Sequence, residues 1–267
     1  MRSVRMLIAA LVLLGGYGSC FAQTLHVISV ADSTDPRIGI GADANSKGIY
    51  DYALLVSGLT NLQLDFNEIK GKNFTCDTVK KAVADLSVKP NDVVIFYYSG
   101  HGISPQSVNP SSSAFPSFIC GIGPPTAEEL NALPNLQLLA YELKAKGARL
   151  TLAVADTCNA IQPVRELEAP VRAGAAPDQI RTMFLNFRGF ILMSSSKTGE
   201  FSWYQQEGGL FTTRFLKLLK NPPQAPAARL WDSVIATATK AFPVTSDGVS
   251  VMQTPQQVVE GLKLASN

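Results

Sequence analysis

Two segments of this chain, DVVIFYYSGHG (Asp92–Gly102) and RLTLAVADTCNA (Arg149–Ala160), carry runs that are apolar or β-branched throughout rather than at alternate positions. A strand with one face in water alternates apolar and polar residues, whereas a strand buried on both faces does not. These runs therefore belong in the interior of a parallel sheet with helices on both faces. Each stops abruptly on a polar residue with chemistry of its own, His101 in the first and Cys158 in the second. The carboxyl ends of such strands are where open parallel sheets place their sites.

The rest of the chain has the matching rhythm. Leu25–Ala31 and Leu62–Ile69 read as strands, and Lys47–Leu59 reads as a helix with Ile49, Tyr52 and Val56 on one side. Thr75–Ser87 places Val79, Ala82, Val83 and Leu86 at helical spacing. Ile103–Pro125 is Pro-, Ser- and Gly-rich and reads as a long loop, with Phe115–Ile119 extended as an arm. Thr126 and Glu129 form a capping-box pattern, and a second helix runs from Leu136 to a stop at Gly147. Arg188–Ser196 reads as a strand, Gly208–Leu219 as a helix, and a further helix carries Trp231, Val234 and Ile235. Val249–Pro255 is expected to be a last short strand. Strands alternating with helices imply βαβ units and a three-layer α/β/α sandwich around a mostly parallel central sheet.

The two strand-end residues suggest one chemistry. A thiol is a strong nucleophile as thiolate, and a histidine within reach supplies the base that makes it one. The chain has only two histidines, and His26 lies inside an apolar run, so His101 is the candidate base. His101 and Cys158 lie 57 positions apart with helical sequence between them, as a right-handed crossover between neighbouring strands requires. Gly100 and Gly102 flank the histidine, so the backbone there can turn sharply and offer an N–H to a ligand.

At these residues the sequence resembles the caspase-like cysteine peptidases, the group of caspases, metacaspases and their bacterial relatives. The histidine of that group sits in an S-x-H-G context, here Ser99-Gly100-His101-Gly102, and the cysteine commonly follows as D-x-C, here Asp156-Thr157-Cys158. The motif departs after the nucleophile, where metacaspases continue with His, Ser or Ala and then Gly; this chain reads Asn159-Ala160. The resemblance implies a Cys–His dyad acting on peptide or protein substrates, with the backbone amides of Gly102 and Cys158 as oxyanion donors. It also implies that Asp156, facing the same way as Cys158 on an extended strand, receives Arg or Lys before the scissile bond. Asp51, with Asp43 as competitor, is the expected second acidic wall, and Ser195, Ser196 and Trp203 are expected to border the groove. Some relatives depend on calcium, but no acidic run here has the ligand spacing of a recognised calcium loop, so no metal or other cofactor is expected.

The ends and the composition bound the rest. Residues 1–22 read as an export signal, with Arg2 and Arg5 ahead of the apolar run Met6–Leu14 and small residues before a cut at Gln23; Cys20 offers a weaker lipoprotein alternative. Residues 23–267 then form one peptidase domain with an irregular linker at about 160–178. Removing the signal leaves 21 basic and 21 acidic side chains. With no basic stripe, nucleic acid is not an expected partner, and no later run has the length of a membrane span. The mature chain keeps Cys76, Cys120 and Cys158, an odd number, which means an intermolecular bond, a free reactive thiol or three buried thiols. If Cys76 pairs with Cys120, Cys158 is the thiol left over. Two other readings remain: a caspase-like fold serving as a binding module with an idle site, and a sortase-like transpeptidase, which would be a β-barrel.

Overall fold

Val93–Ser99 and Leu150–Asp156 are strands buried at every residue, as their uninterrupted apolar runs require. The computed structural model describes residues 23–107, 109–120, 126–160, 175–246 and 249–265, and the expected export signal and most of the expected linker lie outside them. In chain order, β1 (Thr24–Ala31), α1 (Gly39–Thr60), β2 (Gln63–Lys70), α2 (Cys76–Asp85) and β3 (Val93–Ser99) come first. A small antiparallel pair, β4 (Gly102–Ile103) with β5 (Ser117–Phe118), precedes α3 (Ala127–Ala132), α4 (Leu136–Ala145) and β6 (Leu150–Asp156). There follow α5 (Pro177–Leu185), β7 (Phe187–Ser194), the pair β8 (Tyr204–Gln205) and β9 (Gly208–Gly209), α6 (Leu210–Lys220) and α7 (Leu230–Ala238). A hairpin of β10 (Phe242–Ser246) and β11 (Val249–Gln253) leads to β12 (Gln256–Leu264).

The central sheet has six strands in the order β12-β7-β6-β3-β1-β2, parallel except for the antiparallel edge strand β12. Alternate residues of the inner strands feed two cores. Leu25, Val27, Ile95, Tyr97, Leu152 and Val154 pack against α1, α5, α6 and α7. On the other face Ile28, Val30, Val94, Phe96, Ala153 and Ala155 pack against α2 and α4. This is the expected α/β/α sandwich, and a parallel sheet between helical layers is not the β-barrel of a sortase-like enzyme.

Local signals explain most helix starts. Thr75 Oγ1 accepts from the Thr78 N–H to cap α2, and the Thr126–Glu129 capping box opens α3. Three elements differ from expectation. α1 begins eight residues before Lys47, because its first turns bury Gly39, Gly41, Ala42 and Asn45 against a neighbouring segment. A Cβ at Gly41 would stand 2.4 Å from the Gln205 carbonyl oxygen, so close approach, not helix propensity, selects glycine there. α5 starts at the end of the expected linker and fills a stretch with no expected element; it is a short helix with Pro177 in its first turn, held by burial of Ile180, Met183 and Phe184. Val249–Gln253 does not join the central sheet but pairs with β10, and the true edge strand is β12.

Cys76, at the start of α2, is disulfide-bonded to Cys120, just beyond β5, across 44 positions of chain. Cys158 is the free thiol among the described residues. Closing a loop of that length is expected to stabilise the fold by roughly 2–4 kcal/mol. Chain lacking residues 1–22 should therefore titrate one thiol when denatured without reductant and three after reduction; three before reduction would refute the pairing. Cys76→Ser should lower the midpoint of thermal unfolding to the level of the reduced wild type.

Candidate active site

The register of the three inner strands brings the site together. Ala31 of β1 pairs with Ser99 of β3, and Ser99 pairs with Asp156 of β6, so the three strands end level. His101 and Cys158 each lie two residues beyond this row, on the connections leaving adjacent strands. Neighbouring strands are about 4.8 Å apart. The β1–α1 connection, Asp32–Ile38, leaves from the same row on the other side of His101.

Several bonds fix the His101 turn. The carbonyl of His101 accepts from the Tyr98 hydroxyl at 2.6 Å and from the Ile119 N–H at 3.0 Å. Tyr204 closes the gap between strand ends: its hydroxyl donates to the Asp156 carbonyl and accepts from the Gly100 N–H at 3.1 Å. Gly102 packs directly on the nucleophile turn. A Cβ there would meet Thr157 Oγ1 at 2.3 Å and the Cys158 carbonyl oxygen at 2.6 Å, so no other residue fits without moving that turn.

Cys158 is only 3% exposed, and the segment that carries Ser202 lies against its thiol. Its thiol donates to the Ser202 carbonyl at 3.6 Å and lies 3.4 Å from the Ser202 N–H. Among the described residues, these are the hydrogen bonds of Sγ, and none joins it to His101. Burial pushes the thiol up to about 12, so it rests protonated. Asn159, where the motif departs from metacaspases, holds the cover in place. Its N–H donates to the Glu200 carbonyl at 3.0 Å, its carbonyl accepts from Gly199 at 2.8 Å, and its Nδ2 ties down Ala114 at 2.8 Å.

Asp156 lies two residues before Cys158 and is fully buried. Its Oδ1 accepts from Ser202 Oγ at 2.5 Å, and its Oδ2 accepts from Thr212 N at 2.9 Å and Thr212 Oγ1 at 2.6 Å. Thr212 is in the first turn of α6, so the carboxylate also meets the positive end of that helix. Burial nonetheless raises the Asp156 carboxyl, against the lowering effect of these donors. Gly209 is a glycine for the same reason, since a Cβ there would fall 2.2 Å from Asp156 Oδ2. Ser202 therefore covers both the thiol and the carboxylate.

The other expected site residues divide. Ser195 and Ser196 donate to the Thr157 carbonyl at 3.0 and 2.9 Å, bracing the nucleophile turn from β7. Trp203 is buried within the cover. Asp51 is not brought to the site: it is twelve residues along α1 from Gly39, ~18 Å down the axis, and pairs with Lys47 on the solvent side. Asp43 pairs instead with Lys70.

The β1–α1 connection supplies residues that sequence reasoning missed. Asp32, Asp35 and His101 place ligand-type atoms within 4.8 Å of one another, an arrangement suited to a cation. The cation already there is the Arg37 guanidinium, whose Nη2 lies 3.1 Å from His101 Nε2 and 3.4 Å from Asp35 Oδ2. Burial opposes ionisation of Asp35, but N–H bonds from Arg37 and Ile38 and the neighbouring His101 outweigh it and hold the carboxyl below its ordinary value. Burial dominates at Asp32 and raises it. The polar run Asp32-Ser33-Thr34-Asp35-Pro36-Arg37 directly after an inner strand was the available signal.

No curated protein sequence matches the chain. Among solved structures it is similar to protein GSU0716 from Geobacter sulfurreducens, at 14% identity and a TM-score of 0.47 over 89% of this chain and 93% of that one. It is also similar to caspase-1 from Spodoptera frugiperda, at 11% identity and a TM-score of 0.48 over 88% and 85% of the two chains. The family model described as the caspase domain of the C14 peptidases matches residues 42–256, and the chain belongs to that family.

Proposed function

We propose that this protein is an exported cysteine endopeptidase in which Cys158 is the nucleophile and His101 its base, cutting peptides after Arg or Lys. One observation carries the reading: the Ser99–Asp156 pairing puts His101 and Cys158 at equivalent positions beyond adjacent strands. In the reaction His101 takes the thiol proton as Sγ attacks the carbonyl, then returns it to the leaving amine; water hydrolyses the resulting thioester. The N–H groups of Gly102 and Cys158 receive the developing oxyanion, where losing one donor typically costs ~10²–10³ in rate.

The resting protein is latent in this reading. Displacing Ser202 frees Sγ and Asp156 Oδ1 together, so the nucleophile and a carboxylate for a basic side chain become available in one movement. A second specificity reading rests on Arg37, an exposed cation beside His101 that suits an acidic residue instead. Export is supported by the Cys76–Cys120 disulfide, which persists in oxidising compartments.

Cys158→Ala and His101→Ala should each abolish peptide hydrolysis while circular dichroism stays unchanged. Full turnover in either folded variant removes the dyad, and inactivity of the wild type on every peptide favours the idle binding module. In a panel of fluorogenic peptides differing only before the scissile bond, Arg and Lys should be cut fastest; faster cleavage after Asp would transfer the specificity role to Arg37. Alkylation of Cys158 by iodoacetamide in the free protein should keep accelerating through the alkaline range, since a thiol raised to about 12 ionises only there. A plateau near neutral pH would mean that the thiol is already uncovered and ionised.

A further inference from the structure

His101 Nε2 faces two groups of opposite demand. A guanidinium only donates and a carboxylate only accepts, yet Arg37 Nη2 and Asp35 Oδ2 both lie 3.1 Å from this one nitrogen. If Nε2 carries a proton it bonds to Asp35; if it is bare it bonds to Arg37. The hydrogen bond formed in this structure is that from Arg37, with Asp35 at ion-pair distance. In a neutral imidazole the proton then sits on Nδ1. Nδ1 is the one ring nitrogen that neither Asp35 nor Arg37 addresses, so the proposed dyad would use it toward Cys158, and with the proton on it the ring is no base toward the thiol.

The geometry points to Asp35 and Arg37 as a pair that sets where the His101 proton sits, Arg37 holding the idle tautomer and Asp35 selecting the competent one. When Arg37 withdraws, the neutral ring carries its proton on Nε2, donated to Asp35 Oδ2. The Nδ1 lone pair is then free to take the Cys158 proton, giving imidazolium and thiolate with nothing lost. Arg37 can move, since its side chain is 51% exposed. Asp35 cannot easily follow: its Oδ1 accepts from the N–H groups of Arg37 and Ile38 at 2.8 and 3.1 Å, and its carbonyl accepts from Gly39 at 2.9 Å. One oxygen of Asp35 thus anchors the loop while the other addresses the imidazole. The remaining charged neighbour, Asp32, flanks the ring from the same connection. This inference rests on the dyad proposed above and makes Asp35 a positioning residue, acting through His101.

Asp35→Asn separates the two oxygens. Asparagine keeps an acceptor for the loop N–H groups but presents N–H to Nε2, which favours the idle tautomer. The tautomer is read by ¹⁵N NMR of histidine-labelled protein in mildly alkaline buffer; with only His26 and His101 in the chain, a His101→Gln variant assigns the two rings. Wild type should show His101 protonated on Nδ1. Arg37→Leu should move the proton to Nε2 and raise kcat. Asp35→Asn should keep it on Nδ1 and lower kcat by about 10²–10⁴-fold, the usual contribution of a positioned base, at unchanged KM. Asp35→Glu should recover part of that loss. A wild-type ring protonated on Nε2, or an Arg37→Leu ring still protonated on Nδ1, overturns the proposal. If ring signals follow the substitutions but no form cuts any peptide, the reaction fails and the proton selector stands. If Asp35→Asn cuts peptides at the wild-type rate, the selector falls and the dyad stands.

Discussion

The level ending of three parallel strands is the constraint on which the site depends. Ala31, Ser99 and Asp156 form one row across β1, β3 and β6, so the connections that leave them emerge side by side. Parallel register is fixed by the buried faces: a slip of one residue would turn every core side chain of a strand to the other layer. With both faces of β3 and β6 buried, such a slip would move Phe96 and Tyr97 into spaces shaped for each other. The packing that stabilises the sheet is thereby also what holds His101, Cys158 and Asp35 at one edge.

Above this row lies a polar layer that is buried and almost fully bonded. Asp156 is the costliest member, because a carboxylate out of water requires donors on both oxygens. Ser202 supplies one side, and the first turn of α6 supplies the other through Thr212. Asn45 links the same region to α1, donating to Ser99 Oγ at 2.9 Å and accepting from the Gly209 N–H at 3.0 Å. Four buried polar atoms lack a partner among the described residues, and two of them, Thr157 Oγ1 and Asn159 Oδ1, flank Cys158.

How much of this was legible depended on whether a signal was local. The inner strands were readable because both faces of β3 and β6 are buried, and the disposition of His101 and Cys158 followed from strand ends and spacing. Caps at Thr126 and the apolar face of α2 are local signals too. The start of α1 was not legible, since Gly39 and Gly41 are chosen by contact with distant backbone. β12 was hidden because an edge strand exposed on alternate residues has no apolar run, and the preceding hairpin took its place in the reading. Asp156 ends β6 two residues before Cys158, but nothing in D-T-C tells that Ser202 and Thr212, some fifty positions later, occupy its oxygens. Asp51 failed for a simpler reason: a residue three turns into a helix has left the sheet edge behind.

In the proposed reaction two restraints act on the resting site, and their sizes differ. A thiol raised to about 12 costs roughly 7 kcal/mol to ionise at neutral pH. Choosing between two imidazole nitrogens is the smaller matter, worth about the energy of one charge-assisted hydrogen bond, ~1.5–3 kcal/mol. In that reaction displacing the Ser202 segment would be the larger step, since Ser202 holds the hydrogen bonds of the buried thiol. The imidazole tautomer then decides how well the exposed thiol is used. The two are not independent, because Tyr204, two residues past Ser202, bonds both the Asp156 carbonyl and the Gly100 N–H. A shift of the cover that carries Tyr204 with it releases the turn on which His101 sits. Cover and His101 turn are thus tied through the Tyr204 hydroxyl at the strand ends themselves.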